Sequence, residues 1–276
     1  PVRHSIGFVV HNAGFQSRRR DAVYLPLLSE DLADFRRAAL RFPLAGFSVT
    51  IPHKQGILRY LDKADGWVAA AGAANTVRIR RGRWEATNTD IEGIRAPIRQ
   101  RLQLASRQRL PADFRAVVVG NGGAARAAVI ALRSLGCRAI VIAGRNPSHA
   151  QRLAREMEAA SAPLEVLRRE RFSLLIHATP VGMWPHVEQC LLQPGQLNAG
   201  IVFDLVYNPP QTKLLRRARA RGCRTISGLE MFLIQAARQF EFWTGEPAPL
   251  RRMRAVAAQA LEQMRRGAPP GGEEPA

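Results

Sequence analysis

Cysteine and long apolar runs are both scarce in this sequence. The three cysteines, Cys137, Cys190 and Cys223, lie far apart and show no CxxC or Cys/His metal spacing. This argues against a disulfide framework and against a structural zinc site. No apolar run reaches the roughly 18 residues that a membrane span needs. We therefore expect a cytoplasmic protein without a membrane partner, because unpaired thiols are typical of a reducing compartment.

Acidic residues are also few relative to basic ones. The 276 residues include 41 Lys and Arg against 22 Asp and Glu, which gives a net charge of +19, and only three of the 41 are lysine. Such a balance is typical of proteins that bind nucleic acids or membrane surfaces. Here the arginines are spread over every segment, and aromatic residues make up only 7% of the chain. A nucleic-acid-binding protein is therefore a remote alternative.

The length of 276 residues is near the limit of a single hydrophobic core, so two domains are expected. The chain opens at Pro1, close to its first motif, and we expect a strand or a whole fused domain to precede it. Residues 267–276 consist of Gly, Ala, Pro and Glu only. Because such residues bury too little surface to offset the entropy of ordering, a disordered tail is predicted there.

Residues 117–226 alternate short apolar runs with helical patterns, as βαβ units do. The predicted strands are 116–120, 139–144, 173–178 and 200–206. The predicted helices are 124–135, 147–160 and 212–221, with Asn146 as an N-cap and with Gly136 and Gly222 after the C-termini. Four such units in succession predict an α/β fold with a doubly wound parallel sheet.

The rest of the chain shows a different pattern. Alternations at 46–51 and 75–88, with helices near 32–41 and 54–61, predict a smaller α/β domain. Two helices with apolar faces, 228–242 and 250–265, are expected to pack back on this first domain. The predicted domains are therefore 1–92 together with 228–266, and 93–227.

A glycine-rich turn joins the first strand of the βαβ region to its helix, in the sequence VVVGNGGAARAA. Gly120, Gly122 and Gly123 allow a tight turn and a close approach of backbone N–H groups to a pyrophosphate at the helix N-terminus. Ala125 stands where the usual fingerprint has its third glycine. The pattern predicts a Rossmann-type cofactor domain. The predicted cofactor-binding residues of the turn are Gly120, Asn121, Gly122, Gly123 and Ala124.

The end of the second strand distinguishes the two nicotinamide cofactors. An Asp or Glu there would bind the ribose 2′-hydroxyl of NAD, whereas a basic residue would bind the 2′-phosphate of NADP. The strand ends IVIAGRN, which offers Arg145 and Asn146 and no carboxylate. Because a guanidinium can donate two hydrogen bonds to a phosphate, the sequence favours NADP over NAD.

Eight motifs of distinctive sequence are spread along the chain. They are HSIGFVVHNAGF (4–15), GFSVTIPHK (46–54), GAANTV (72–77), NTDIEG (88–93), GNGGAARA (120–127), HATPVGM (177–183), DLVYNPPQT (204–212) and GLEMFLIQAARQFEFWTG (228–245). In this order they resemble the shikimate dehydrogenase family, which includes shikimate/quinate 5-dehydrogenases and the shikimate dehydrogenase part of enzymes fused to dehydroquinate dehydratase. The resemblance implies an NADP-dependent oxidoreductase that interconverts 3-dehydroshikimate and shikimate in aromatic amino-acid biosynthesis.

The resemblance also implies which residues act. The family's catalytic lysine and aspartate are Lys54 and Asp90 here, although by sequence alone they would be a surface lysine and a turn or cap residue. A lysine near a carboxylate can relay the proton of a substrate hydroxyl. The implied substrate-binding residues, each also a common turn or packing residue, are Ser5, Thr50, Asn75, Tyr207 and Gln235. The residues implied to border the nicotinamide are Thr179, Gly228 and Met231.

Two departures from the family pattern bear directly on the ligands. The family's Ser-x-Ser, whose hydroxyls bind the substrate carboxylate, is Ser5-Ile6-Gly7 here. A lost hydrogen bond to a charged group costs roughly 1.5 to 3 kcal/mol, and glycine leaves room for the additional hydroxyl of quinate. A quinate or dual quinate/shikimate dehydrogenase is therefore the alternative function. His149 stands where some members have a second phosphate-binding arginine, so the preference for NADP is expected to be less strict.

Other sites and functions are less favoured. No metal site is predicted, because His4, His11 and His53 belong to no HExxH motif and are interpreted as structural. An inactive NADP sensor would have no need of an intact Lys54 and Asp90. A monomer or a homodimer with small-molecule ligands is expected.

Overall fold

The structure, a computed structural model, describes residues 5–267 as two compact units. The first unit comprises the chain up to Thr89 and again from Leu233, and the second unit is Asp90–Phe232. The sequence-based boundaries lie within a few residues of this division and stay predictions. From residue 268 onward, the predicted disordered tail lies outside the described residues, as does His4.

The first unit contains a small sheet with helices beside it. Its elements up to Thr89 are α1 (Gly7–Ser17), α2 (Leu32–Ala39), β1 (Gly46–Ser48), β2 (Lys63–Ala64), α3 (Gly66–Ala71), β3 (Thr76–Arg80) and β4 (Arg83–Thr87). The strands lie in the order β1-β3-β4-β2. The core beside the sheet includes Leu32 of α2, Val68 of α3, Val77 and Trp84. Burial of these apolar side chains supplies the main favourable free energy for this unit.

The hairpin β3–β4 is encoded locally. Arg81 and Gly82 join the strands with φ angles of 50° and 76°, which is the two-residue turn that matches the natural twist of paired strands. Glycine is favoured at the second position because it adopts a positive φ without a steric penalty.

Two of the predicted elements in this unit are wrong in length or type. The predicted strand 46–51 ends at Ser48, and Ile51 is 70% exposed. Residues 49–51 therefore do not continue the strand, although the N–H of Val49 still donates to the backbone oxygen of Asn75. The predicted helix at 54–61 is a short 3-10 helix, Gly56–Tyr60.

The second unit is a six-stranded sheet with helices. After Thr89 the elements are α4 (Thr89–Arg101), β5 (Arg115–Val119), α5 (Gly123–Ser134), β6 (Ala139–Gly144), α6 (Pro147–Glu156), β7 (Ala160–Pro163), α7 (Val166–Arg169), β8 (Phe172–His177), a 3-10 helix (Pro194–Gln196), β9 (Ala199–Asp204), α8 (Lys213–Ala220) and β10 (Arg224–Ile226). All strands are parallel, in the order β10-β9-β8-β5-β6-β7. This is the doubly wound order, and it confirms the predicted fold class.

The central strands show why the sequence forms this sheet. Val117 of β5, Leu175 of β8 and Val202 of β9 are fully buried, as expected for parallel strands covered on both faces. The strand order reverses between β5 and β8, and ligands of such sheets bind at the carboxyl ends of the strands at this reversal. The fold therefore places the candidate site of this unit after Val119 and His177.

Some elements of the second unit differ from the sequence-based prediction. The predicted helix 147–160 is too long: α6 ends at Glu156, because Glu158 adopts a left-handed conformation (φ 48°) and β7 begins at Ala160. The helix α4 was not predicted, although Ile91, Ile94 and Ile98 recur at helical spacing and are fully buried. The short elements β7, α7 and β10 carry too few apolar residues to give a pattern.

Two helices follow β10, α9 (Gly228–Thr244) and α10 (Leu250–Arg265). Both confirm the predicted helices, and the division between the two units falls inside α9. Within the first unit, α10 packs against α1, and a Cβ at Gly14 of α1 would lie 3.2 Å from the ring of Phe240. Among residues 5–267, no helix is long and apolar enough to cross a membrane.

Candidate active site

Lys54 lies in the turn that follows β1, in the first unit. The side chain is half-buried, and its backbone oxygen accepts a hydrogen bond at 2.8 Å from the N–H of Ala74. Val49 donates from its backbone to the oxygen of Asn75, also at 2.8 Å. These two bonds fix the turn that carries Thr50 and Lys54 against the residues that precede β3. Thr50 itself is exposed.

Asn75 holds the N-terminus of α4. Its side-chain oxygen accepts hydrogen bonds at 2.8 Å from the backbone N–H of Thr89 and from the hydroxyl of Thr76. Its amide nitrogen donates to the hydroxyl oxygen of Thr89 at 3.0 Å, and the residue is only 2% exposed. Asp90 follows in the first turn of α4 and is half-buried. A carboxylate at this end of a helix is stabilised by the unpaired N–H groups there.

Gln239 of α9 was not predicted, yet it connects several residues of the first unit. The side chain is 4% exposed. Its oxygen accepts from the hydroxyl of Ser48 at 3.2 Å and lies 3.1 Å from Nε2 of His11. Its nitrogen donates to the backbone oxygen of Asn75 at 3.3 Å and to the hydroxyl of Thr76 at 3.0 Å. Gln239 therefore supports the strand end that presents Asn75.

A signal for Gln239 exists in the sequence, because it lies four residues after Gln235 and so shares a helix face with it. Gln235 is half-buried in α9. Near Gln239, the ring of His11 stacks on Tyr24 with a centroid distance of 4.7 Å. Burial lowers the pKa of His11 to about 4, partly offset by the hydrogen bond to Gln239. His11 is thus a neutral core residue, as the structural interpretation predicts.

Ser5 and Gly7 lie at the start of α1. The backbone N–H of Gly7 donates to the hydroxyl oxygen of Ser5 at 3.1 Å. A Cβ at Gly7 would lie 3.2 Å from the same oxygen, so a larger residue there would need a small shift of Ser5. The Ser5 hydroxyl oxygen is therefore held by the backbone N–H of Gly7, two residues further along the chain.

The glycine turn after β5 forms the cofactor part of the candidate site, in the second unit. Gly120 has a φ of 137°, and a Cβ there would lie 2.6 Å from the backbone oxygen of Ala178. By contrast, a Cβ at Gly122 or Gly123 would meet nothing within 4 Å. The helix α5 begins at Gly123 with no acidic side chain in its first turn. This open space beside free N–H groups fits the pyrophosphate of a dinucleotide.

The residues after β6 fit the ribose end of the same cofactor. Arg145 is exposed and pairs with no carboxylate among residues 5–267. The side-chain oxygen of Asn146 accepts from the backbone N–H groups of Ser148 and His149 at 3.1 and 3.3 Å, which confirms the predicted N-cap of α6. Asn121 and Ala124 are exposed on the turn. A guanidinium without a carboxylate partner suits a 2′-phosphate.

Beyond β8, a chain of hydrogen bonds involves Thr179. Its hydroxyl lies 2.5 Å from Nε2 of His177, and Nδ1 of His177 lies 2.9 Å from the carboxylate of Asp204 at the end of β9. The other carboxylate oxygen of Asp204 accepts from the hydroxyl of Thr212 at 2.6 Å. His177, Asp204 and Thr212 are at most 1% exposed. Thr179 is among the predicted site residues, whereas His177 and Asp204 are not.

The remaining predicted residues lie near the start of α9. A Cβ at Gly228 would come within 2.4 Å of the backbone oxygen of Val206, so only glycine fits there. Met231 is half-buried in the first turns of α9. Tyr207 stacks on Phe232 with a centroid distance of 4.7 Å. Tyr207, Gly228 and Met231 thus belong to the second unit, whereas Ser5, Thr50, Asn75 and Gln235 belong to the first.

Comparison with known proteins gives a consistent result. Three family models match the chain: shikimate dehydrogenase substrate binding domain at residues 1–77, shikimate / quinate 5-dehydrogenase at 103–180, and shikimate 5'-dehydrogenase C-terminal domain at 228–258. The shikimate dehydrogenase (NADP(+)) of Moorella thermoacetica is 39% identical over 285 aligned residues, which cover 99% of this chain and 93% of the relative. The chain belongs to the shikimate dehydrogenase family. The resemblance read from the eight motifs is thereby confirmed.

Solved structures of shikimate dehydrogenase family members share this fold. The shikimate 5-dehydrogenase of Thermus thermophilus, in complex with NADP(H) and shikimate, is 31% identical with a TM-score of 0.81, covering 94% of this chain and 96% of that one. The quinate dehydrogenase of Corynebacterium glutamicum, in complex with NAD, is 29% identical with a TM-score of 0.82, covering 92% of this chain and 94% of that one. Both substrate types therefore occur on this architecture.

Proposed function

We propose that this chain is an NADP-dependent shikimate dehydrogenase that reversibly reduces 3-dehydroshikimate to shikimate in aromatic amino-acid biosynthesis. The observation that carries the proposal is a set of hydrogen bonds made by two consecutive residues, Ala74 and Asn75. One bond to Ala74 fixes the backbone of Lys54, and the bonds of Asn75 to Thr89 fix the residue before Asp90. Consecutive residues of one segment thus anchor the backbone beside two groups. These are the only lysine in the turn after β1 and the first carboxylate of α4.

Lys54 and Asp90 act on the proton of the reacting hydroxyl. During oxidation they take up the O–H proton of shikimate, and during reduction they return it to the carbonyl oxygen. Ser5, Thr50, Asn75, Tyr207 and Gln235 bind the carboxylate and hydroxyl groups of the substrate. The bound cofactor would exchange a hydride with the substrate carbon, which NADP+ accepts during oxidation and NADPH supplies during reduction.

The cofactor is held by residues of the second unit. The backbone at Gly120, Asn121, Gly122, Gly123 and Ala124 binds the pyrophosphate, and Arg145 with Asn146 binds the 2′-phosphate. Thr179, Gly228 and Met231 border the nicotinamide. The shikimate dehydrogenase (NADP(+)) of Moorella thermoacetica, 39% identical to this chain, supports NADP as the cofactor. We further propose a cytoplasmic location, and a monomer or a homodimer, which analytical ultracentrifugation distinguishes.

A steady-state assay tests the proposal. The purified protein is tested with shikimate and quinate, each with NADP and NAD, beside the variants Lys54→Ala and Lys63→Ala. Lys63 is the matched control, because it is an exposed lysine on β2. We expect turnover with shikimate and NADP, a loss of kcat of about 10²- to 10⁴-fold in Lys54→Ala, and no change in Lys63→Ala. Absence of turnover in all four combinations of substrate and cofactor would refute the proposed function.

A second candidate is a quinate or dual quinate/shikimate dehydrogenase. The observation that favours it is Gly7, which offers no hydroxyl and whose N–H already donates to Ser5. We expect Gly7→Ser to raise the ratio of kcat/KM for shikimate over quinate by about tenfold, the effect of one hydrogen bond to a charged group. Gly66→Ser is the matched control, because Gly66 is also a first helical residue and has open space around it. An unchanged ratio in Gly7→Ser refutes the role of this position.

A further inference from the structure

The carboxylate of Asp204 lies within a cluster of hydrogen bonds at the end of β9. Its carboxylate accepts from the hydroxyl of Thr212 at 2.6 Å and from the backbone N–H of Val206 at 3.1 Å. Nδ1 of His177 lies 2.9 Å from the same carboxylate. An ionised carboxylate only accepts hydrogen bonds, so Nδ1 of His177 donates. In the neutral ring, Nε2 is then an acceptor.

This arrangement orients the hydroxyl of Thr179. Nε2 of His177 lies 2.5 Å from the Thr179 oxygen, and a neutral ring with its proton on Nδ1 accepts the hydroxyl proton there. The same oxygen accepts from the backbone N–H of Val181 at 3.3 Å. Both the side chain and the loop 178–181 are therefore held by His177, which is itself buried and held by Asp204.

The loop that His177 holds lies against the glycine turn. His177 of β8 pairs in register with Val119 of β5. A Cβ at Gly120 would lie 2.6 Å from the backbone oxygen of Ala178 and 3.3 Å from the methyl group of Thr179. The sheet reverses its strand order here, which is where dinucleotides bind in such folds. A shift of Thr179 would consequently move one wall of the dinucleotide turn.

We propose that His177 is a positioning residue for the cofactor: its bonds to Asp204 and Thr179 lock the loop 178–181 against Gly120. The inference rests on the proposed function, since it assumes that a nicotinamide dinucleotide binds at this turn. His177 has no part in the proposed proton transfer, which Lys54 and Asp90 carry out. It acts through Thr179, as residues that orient a binding group do in preorganised sites.

The test measures the Kd for NADPH by fluorescence titration in His177→Asn, Thr179→Val and the double variant. Asparagine is too short to bridge Asp204 and Thr179, and valine replaces the hydroxyl at equal size. We expect each single variant to raise Kd by about tenfold, the factor that one lost hydrogen bond can carry. The double variant should bind NADPH no more weakly than either single variant, because both substitutions break the same chain of hydrogen bonds. His177→Gln, whose amide can reach Thr179, should recover part of the affinity.

Controls separate positioning from folding and from the proposed function. His186→Asn changes an exposed histidine further along the chain and should leave Kd unchanged. Thermal unfolding of each variant without cofactor measures any general loss of stability. A purely structural role would lower Tm but leave the Kd for NADPH of the folded protein unchanged. The inference is overturned if Kd does not change, or if the effects of the two single variants on binding free energy add in the double variant. If the unmodified protein does not bind NADPH at all, the proposed function fails instead.

Discussion

The side-chain oxygen of Asn75 accepts a hydrogen bond at 2.8 Å from the backbone N–H of Thr89, the residue that precedes Asp90. The N–H of Ala74, one residue before Asn75, donates to the backbone oxygen of Lys54 at the same distance. Two consecutive residues thus anchor the chain beside both proposed catalytic residues. An amide side chain is suited to this, because it accepts and donates at once.

Asn75→Ala should lower both stability and turnover. The substitution leaves the N–H of Thr89 and the hydroxyl of Thr76 without their acceptor, and we expect a loss of roughly 2 to 3 kcal/mol in the free energy of unfolding. We also expect kcat to fall at least about tenfold, because Asp90 loses its anchored neighbour. Urea denaturation and steady-state kinetics measure the two effects.

Asn198→Ala is the control for Asn75→Ala. Asn198 donates a single hydrogen bond, at 3.2 Å, to the backbone oxygen of Glu170, so its loss should cost no more than about 1 kcal/mol. A stability loss as large in Asn198→Ala as in Asn75→Ala would contradict the anchoring role.

Gly122→Ala should weaken cofactor binding with little effect on stability, whereas Gly120→Ala should lower stability. A Cβ at Gly122 enters open space, so stability should stay within about 0.5 kcal/mol while the KM for NADP rises at least about tenfold. A Cβ at Gly120 meets the backbone oxygen of Ala178 at 2.6 Å, with φ at 137°, so this variant should lose roughly 1 to 3 kcal/mol of stability. Thermal unfolding without cofactor and a cofactor titration give the two readouts. A pyrophosphate that lies elsewhere would leave the KM of Gly122→Ala unaltered.

Arg145→Ala should weaken the binding of NADP but not the binding of NAD. The guanidinium has no carboxylate partner among the described residues, and hydrogen bonds to a phosphate are worth about 1.5 to 3 kcal/mol, or roughly 10- to 150-fold in KM. The KM for NAD should change less than about twofold, because NAD lacks the 2′-phosphate. Arg224→Ala is the control, since Arg224 is exposed at the amino end of β10. Equal effects on both cofactors would refute the assignment.

His11→Gln should make the free energy of unfolding less dependent on pH in the acidic range. The native pKa of His11 is lowered from 6.5 to about 4, so between these pH values the unfolded state binds a proton that the native state does not. Stability therefore falls as pH decreases through this window, by roughly 3 kcal/mol for the full shift. Above pH 6.5 His11 is neutral in both states and contributes no slope.

Thermal unfolding at pH 7, 6, 5 and 4 measures this difference. His149→Gln is the control, because His149 is exposed on α6 and its removal should leave the profile of the unmodified protein. The principal titratable neighbour of the His11 ring is Tyr24, whose own pKa is raised by burial. Parallel profiles for His11→Gln and the unmodified protein would show that His11 is not protonated on unfolding.

Local sequence was sufficient for much of the fold. The apolar runs predict β5, β6, β8 and β9 within one or two residues, because parallel strands buried on both faces need continuous apolar sequence. The glycine turn after β5 and the N-cap Asn146 could likewise be predicted, since both depend on backbone geometry within a few residues. The short strands β7 and β10 were not, because they are edge strands with little apolar character of their own.

The sequence by itself determined the fold class, the position of the glycine turn after β5 and the family motifs that contain Lys54 and Asp90. Only the tertiary structure decided which polar side chains support them. Gln239 and His11 are 228 residues apart in the chain, and His177 and Asp204 are 27 apart on different strands. Such pairs have no local periodicity, because strand register and helix packing bring them together.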